Sequence, residues 1–156
     1  MNCFFLGRAE DANGPSKEGI VSFAIPDLGV VFKTRYFGSF FECEYMSLLA
    51  LLIFIEKNQE TFNQQKIRIF SENPLIVYQI NQKGFCSRDL IPHRDKALSY
   101  RQKLSYSLEW IPSHENRARQ VIFQNGLKNN ATSPSSLVSA EPFSEKGCSV
   151  DLGKAD

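Results

Sequence analysis

The stretch Ile67–Ile80, IRIFSENPLIVYQI, changes its period halfway along. Ile67 to Phe70 alternate as a strand does, Ser71-Glu72-Asn73-Pro74 interrupt the pattern, and an apolar repeat of helical spacing follows. Asn73 suits a helix N-cap and Pro74 a first helical residue, where a missing N–H is not needed. The stretch therefore predicts a strand over 66–71 and a short helix over 75–82, with Gly84 placed to end it. Glu72 then falls at the carboxyl end of a strand, where open α/β sheets gather their ligand sites.

Upstream, Asn2–Leu6, Gly19–Ile25 and Val30–Tyr36 read as strands joined by a turn cluster at 10–16 and by Pro26–Gly29. Three consecutive strands on short turns predict an antiparallel meander. Ser39-Phe40-Phe41-Glu42 has the spacing of a capping box, and a helix to about Asn58 follows. Tyr45, Leu48, Leu49, Leu52, Ile53 and Ile55 wrap most of its circumference, which marks a buried helix. Downstream, Arg94–Lys103 is read as helical, Tyr106–Ile111 as a strand ending in a core Trp110, and about His114–Leu127 as a last helix. The order gives an α/β fold: a mixed five-stranded sheet, three antiparallel strands and then parallel ones, flanked by helices. From Lys128 on, Ser, Asn and Pro dominate without periodicity, so a domain over 1–128 and a disordered polar tail over 129–156 are expected.

Composition narrows the function classes. A formal net charge of +1 excludes a globally electrostatic nucleic-acid binder and leaves local patches to be judged separately. Cys3, Cys43, Cys86 and Cys148 form no C-x-x-C pair, so neither a disulfide framework nor a zinc site follows. Unpaired thiols in apolar surroundings fit a reducing, intracellular, cytoplasmic setting. The longest apolar run, Leu48–Ile55, falls short of the ~18–20 residues that span a bilayer, and the first residues lack a signal-peptide pattern. No membrane partner is expected, and the N-A-T sequon at Asn130 is read as chance.

Four segments carry a resemblance to a known family. CEYMSLLALLIFIEK (43–57) resembles the ribonuclease H helix built around Ala-Glu-Tyr-x-Ala-Leu, with Glu44 at the Glu. FSENPLIVYQIN (70–81) resembles its Asp-Ser-x-Leu-Val-Val-x-Gln-Ile segment, with Glu72 at the Asp. LEWIPSHENRA (108–118) resembles the strand, loop and Glu-Asn helix start near the family's end, and NGPSKEGIVSFAI (13–25) its Gly-rich turn and second strand. The likeness spans about residues 2–127 and is nearest to the compact type 1 or reverse-transcriptase-like branch.

The resemblance implies cleavage of the RNA strand of an RNA–DNA hybrid by two Mg2+ or Mn2+ ions held on four carboxylates. Two such hard ions ~3.5–4 Å apart demand several acidic oxygens. Glu44 and Glu72 supply two of the four positions as catalytic and metal-binding candidates, and His114 matches a loop histidine that assists turnover in active relatives. The first-strand acid is missing, since Leu6-Gly7 stand there and no acid precedes Glu10. The last acid falls at Arg119 or Gln120, and no carboxylate occurs between Glu115 and Glu141. An arginine at a metal position repels the ion.

Between Lys83 and Lys128, nine basic residues face four acids, a local surplus on a chain whose total is +1, with Tyr100, Tyr106 and Trp110 interleaved. Lys83, Arg88, Arg94, Lys96, Arg101, Lys103, Arg117 and Arg119 are the candidate phosphate contacts. The expected function is a catalytically degenerate ribonuclease H-like domain that binds RNA or RNA–DNA hybrid with weak or lost cleavage. Two other readings stay open. One is an active nuclease with a site rearranged around Glu44, Glu72 and a loop acid such as Glu10, Asp11 or Glu115. The other is a protein-interaction module on the same fold.

Overall fold

The computed structural model describes residues 1–9 and 17–123. Strands β1 (Asn2–Ala9), β2 (Lys17–Ile25) and β3 (Val30–Gly38) form the antiparallel meander. β4 (Ile67–Ser71) lies parallel to β1, and β5 (Tyr106–Trp110) parallel to β4, in the sheet order β3-β2-β1-β4-β5. The mixed five-stranded sheet expected from the sequence is thus present.

β1 runs three residues past Leu6, with Gly7, Arg8 and Ala9 pairing with Val21, Ile20 and Gly19. Backbone pairing extends that strand where its side chains carry no strand signal. Helix α1 (Phe40–Lys57) opens on the expected capping box. Ser39 N donates to Glu42 Oε2 at 2.7 Å, and Glu42 N donates to Ser39 Oγ at 3.3 Å. A short helix α2 (Gln59–Phe62), not foreseen, follows it.

Helix α3 (Pro74–Asn81) is capped by Asn73, whose Oδ1 accepts from Leu75 N at 3.1 Å. Its end differs from expectation: Lys83, not Gly84, adopts a left-handed φ of 50°. Gly84 lies under the exposed Tyr78 ring, where a Cβ would sit 2.3 Å from Cε1 and the ring would have to shift. Helix α4 (Ile91–Ser99) begins three residues before the expected Arg94, with Pro92 in its first turn, and tightens into a 3-10 turn over Tyr100–Gln102. A separate 3-10 turn occupies Ser113–Glu115, so helix α5 (Arg117–Phe123) starts later than the sequence suggested. Asn116 intervenes as its cap, accepting from Ala118 N at 3.0 Å. The expected end of that helix at Leu127, the tail from 129 and Cys148 lie outside the described residues.

The two faces of the sheet are unequal. Phe5 and Phe23 pair on one face and join Tyr45, Leu48, Leu52, Ile76, Ile80 and Leu108 in the main core beneath α1, α3 and α4. On the opposite face Leu6, Ala24 and Ala118 form a small seam under α5. Trp110, expected in the core, is half exposed at 53%, since it ends the outermost strand and has sheet on one side only. Among the described residues, no helix is long and apolar enough to cross a membrane.

Candidate functional site

Gly7 sets the position of Glu44. A Cβ on Gly7 would lie 2.1 Å from Glu44 N and 2.2 Å from Cys43 C, so only glycine lets the start of α1 rest on β1. The carboxyl group of Glu44 is consequently buried, with the residue only 1% exposed, and neither oxygen has a hydrogen-bond partner. Burial pushes this acid up to about 8, and the charge of nearby Glu72 pushes the same way. The Gly7 backbone opposes the shift only in part, lying close without forming a well-directed hydrogen bond. At neutral pH Glu44 is chiefly the neutral acid, which is how a buried carboxyl without a cation is tolerated.

Glu72 occupies the bend between β4 and α3, with a side chain 12% exposed. Both of its oxygens are taken by donors from the other side of the strand. Arg119 Nε donates to Oε2 at 3.2 Å, Arg119 Nη2 donates to Oε1, and Asn116 Nδ2 donates to Oε2 at 3.2 Å. The Glu72 carboxylate in turn holds the Arg119 guanidinium above its ordinary range. The same Asn116 nitrogen also donates to the Phe5 carbonyl at 3.0 Å, which ties β1 into the cluster. Trp110 Nε1 donates to the Glu72 backbone carbonyl at 3.2 Å.

The structure therefore brings together Glu44, Glu72 and Arg119. Of the two residues at the last expected acid, Arg119 faces the carboxylate and Gln120 is exposed. Leu6, at the first expected acid, is 3% exposed in the seam against Ala118. His114 is 80% exposed, with Nε2 3.7 Å from Glu115 Oε1, and Glu115 is itself exposed. The loop acids Glu10 and Asp11 lie outside the described residues. Asn116 was not legible as a cap or a site residue, because a helix read from about His114 places it in the helix interior.

These residues do not fit a pair of Mg2+ or Mn2+ ions. Hard cations require several accessible acidic oxygens, whereas the Glu44 carboxyl is enclosed, Glu72 is matched by a guanidinium, and Leu6 is apolar. The orphaned Glu44 oxygens alone do not make a site. Among the described residues, no group of three His, Cys, Asp or Glu side chains could hold a metal. No hydrolytic step follows from this geometry.

The basic candidates sort into two groups. Lys83, Arg88 and Arg117 are exposed. Others have partners within the protein: Arg94 bonds Asp95 Oδ1 and the Gly84 carbonyl, and Lys103 Nζ lies 2.6 Å from Glu56 Oε1. Arg101 Nη2 donates to Asn81 Oδ1 at 2.6 Å and stacks 5.5 Å from the centroid of Tyr106. Lys96 lies 5.7 Å from the Tyr100 ring, and that ring is buried rather than available for stacking. Of the aromatics interleaved with the basic residues, Trp110 is exposed at 53%, and Phe37 at 72%, Tyr78 at 55% and Phe85 at 87% are exposed as well. Tyr78 was legible as the residue of α3 lying off the buried Ile76–Ile80 stripe.

No protein-family profile and no curated protein matches the sequence. Solved structures do match. The N-terminal ribonuclease H domain of a Mycobacterium tuberculosis protein is 17% identical with a TM-score of 0.60, over 74% of this chain and 84% of that one. Ribonuclease H1 of Halobacterium salinarum is 18% identical with a TM-score of 0.59, over 79% and 97%. A ribonuclease H1 isolated from compost by a metagenomic approach, solved in complex with an RNA/DNA hybrid, is 16% identical with a TM-score of 0.62, over 76% and 91%. The chain has the ribonuclease H-like fold.

Proposed function

We propose that this domain binds RNA or RNA–DNA hybrid and has weak or lost metal-dependent cleavage. The observation that carries the reading is the occupation of Glu72 by Arg119 on a ribonuclease H-like fold. Where hydrolysis would require accessible acidic oxygens around a bound cation, this chain has a paired carboxylate, an enclosed acid and a leucine. Binding needs none of these. Lys83 and Arg88 are exposed beside the exposed rings of Tyr78 and Phe85, a combination suited to phosphates and to bases or sugars. One similar fold was solved with an RNA/DNA hybrid, which supports the same ligand class here.

The binding unit is taken as residues 1–128, with 129–156 as a separate tail. Cys3, Cys43 and Cys86 are buried free thiols, consistent with a reducing intracellular compartment.

The test is a labelled RNA–DNA hybrid incubated with the full chain in Mg2+ or Mn2+, beside a Glu44→Gln, Glu72→Gln double variant. The hybrid should be shifted on a gel but not cut. Cleavage by the parent that the double variant lacks would restore the active-nuclease reading. No shift even at low salt would leave the fold as a protein-interaction module.

A further inference from the structure

We infer that the carboxylate centre of this domain has become a metal-free clasp, in which the Arg119 guanidinium is the resident cation and fastens α5 to the sheet. The inference concerns how the domain holds together and does not depend on nucleic-acid binding.

Its first support is the way the described part of α5 is attached. That part, Arg117–Phe123, is about two turns long. In its described apolar seam Ala118 is buried against Leu6 and Ala24, with Phe4, Val121 and Ile122 partly buried around them. Among the described residues, Lys33 Nζ on β3 also donates to the Ile122 carbonyl at 3.1 Å.

The second support is the connectivity of the polar cluster. Arg119 joins α5 to Glu72 at the end of β4, and Asn116 joins the start of α5 to both Glu72 and Phe5 of β1. Three elements far apart in sequence are joined through the Glu72 carboxylate and the Asn116 amide. A guanidinium is permanently charged and matches a carboxylate with two parallel hydrogen bonds. It neutralises Glu72 without any free ion.

The third support is what a divalent cation would have to do to enter. It would displace two guanidinium hydrogen bonds and face the positive charge of Arg119 at close range. In return it would reach the Glu72 carboxylate alone, because the side chain at position 6 is leucine and the Glu44 oxygens are enclosed. That exchange favours the arginine.

The experiment follows thermal unfolding of the full chain and of Arg119→Lys, Arg119→Gln, Glu72→Gln and the Arg119→Gln, Glu72→Gln double variant. Each is melted in EDTA, MgCl2 and MnCl2. The parent Tm should be the same in all three. Arg119→Gln should lower Tm by on the order of 5–10 °C, Arg119→Lys by less, and the double variant should recover part of the loss. Hydrogen exchange should quicken in residues 117–123 of Arg119→Gln while α1 stays protected. A parent Tm raised by Mn2+ or Mg2+ and not raised in Glu72→Gln would overturn the inference. Purely additive effects of the two substitutions would overturn it as well. Should Arg119→Gln fail to fold, the same cycle is closed with Arg119→Lys and Glu72→Asp.

Discussion

Asn116 stands 3.2 Å from the carboxylate of Glu72, and the same side-chain nitrogen donates to the carbonyl of Phe5 at 3.0 Å. Its oxygen meanwhile caps α5 through Ala118 N at 3.0 Å. The residue is 2% exposed, so water does not replace what a substitution removes. Asn116→Ala should cost about 2–4 kcal/mol, the sum of a lost cap and a buried carbonyl left unpaired. Asn116→Asp is the sharper test. Asp caps helices as well as Asn, but here it loses the donor and sets a second carboxylate against Glu72. It should be at least as damaging as Ala, as measured by urea unfolding. If Asp is tolerated, capping is the only role of this side chain.

Glu44 gives the domain a pH dependence whose sign can be worked out. Burial lifts the folded acid to about 8 from an ordinary value of 4.5. Between those two values the unfolded chain has released the proton and the folded chain still holds it. Stability therefore falls as pH rises from about 4.5 to about 8, and levels off above. Glu44→Gln keeps the shape of the neutral acid and removes the titration. It should match the parent near pH 4 and exceed it at pH 8–9 by roughly 1–3 kcal/mol. A parent whose stability is flat or rises across this range would mean that Glu44 is ionised in the fold and paired with a cation.

Glycines test two different constraints. Gly7→Ala would drive a methyl group into the backbone of Cys43 and Glu44 at 2.1–2.3 Å, and backbone cannot rotate aside. The loss should be ~3 kcal/mol or more, since overpacking here displaces all of α1 from the sheet. Gly29→Ala meets nothing within 4 Å but must hold a φ of 63°. Its cost should be only ~1–2 kcal/mol, arising from backbone conformation alone. Paired melting curves separate the two, and equal losses would contradict the close seating of α1 on β1.

Much of this was legible in the sequence where one signal acted alone. Ser39 and Glu42 are the two halves of a capping box, and the structure contains both hydrogen bonds. The strand-to-helix change around Glu72 was equally readable, because Asn73 and Pro74 each act locally. The centre itself was only half legible. The absence of acids at Leu6 and Arg119 was plain from counting carboxylates. That Arg119 would pair with Glu72, 47 positions earlier, depends on how α5 lies across the sheet, which no local pattern encodes. The burial of Glu44 rests on a glycine in another element, and was hidden for the same reason. Trp110 was misplaced because a strand's period gives its faces but not its place in the sheet order.

The cationic surface can be dissected by the partners its residues already have. Lys83, Arg88 and Arg117 are exposed, whereas Arg94 is bonded to Asp95 and Lys103 to Glu56. A side chain whose charge is matched within the protein releases fewer counterions when it meets a phosphate. On the proposed function, Lys83→Gln, Arg88→Gln or Arg117→Gln should each weaken hybrid binding and reduce the salt slope by about 1. Arg94→Gln and Lys103→Gln should change it less. Arg119→Gln should act chiefly through stability, since its guanidinium is engaged by Glu72. The aromatic contribution has a different signature. Tyr78→Ala and Phe85→Ala should weaken binding by about 1–3 kcal/mol each while leaving the salt slope unchanged, because stacking releases no ions. Affinities measured across a salt series resolve both kinds of effect. If the paired lysine and arginine alter the slope as much as the exposed ones, the nucleic acid lies instead along α4 and the 3-10 turn after it, and the ion pairs there open to receive it.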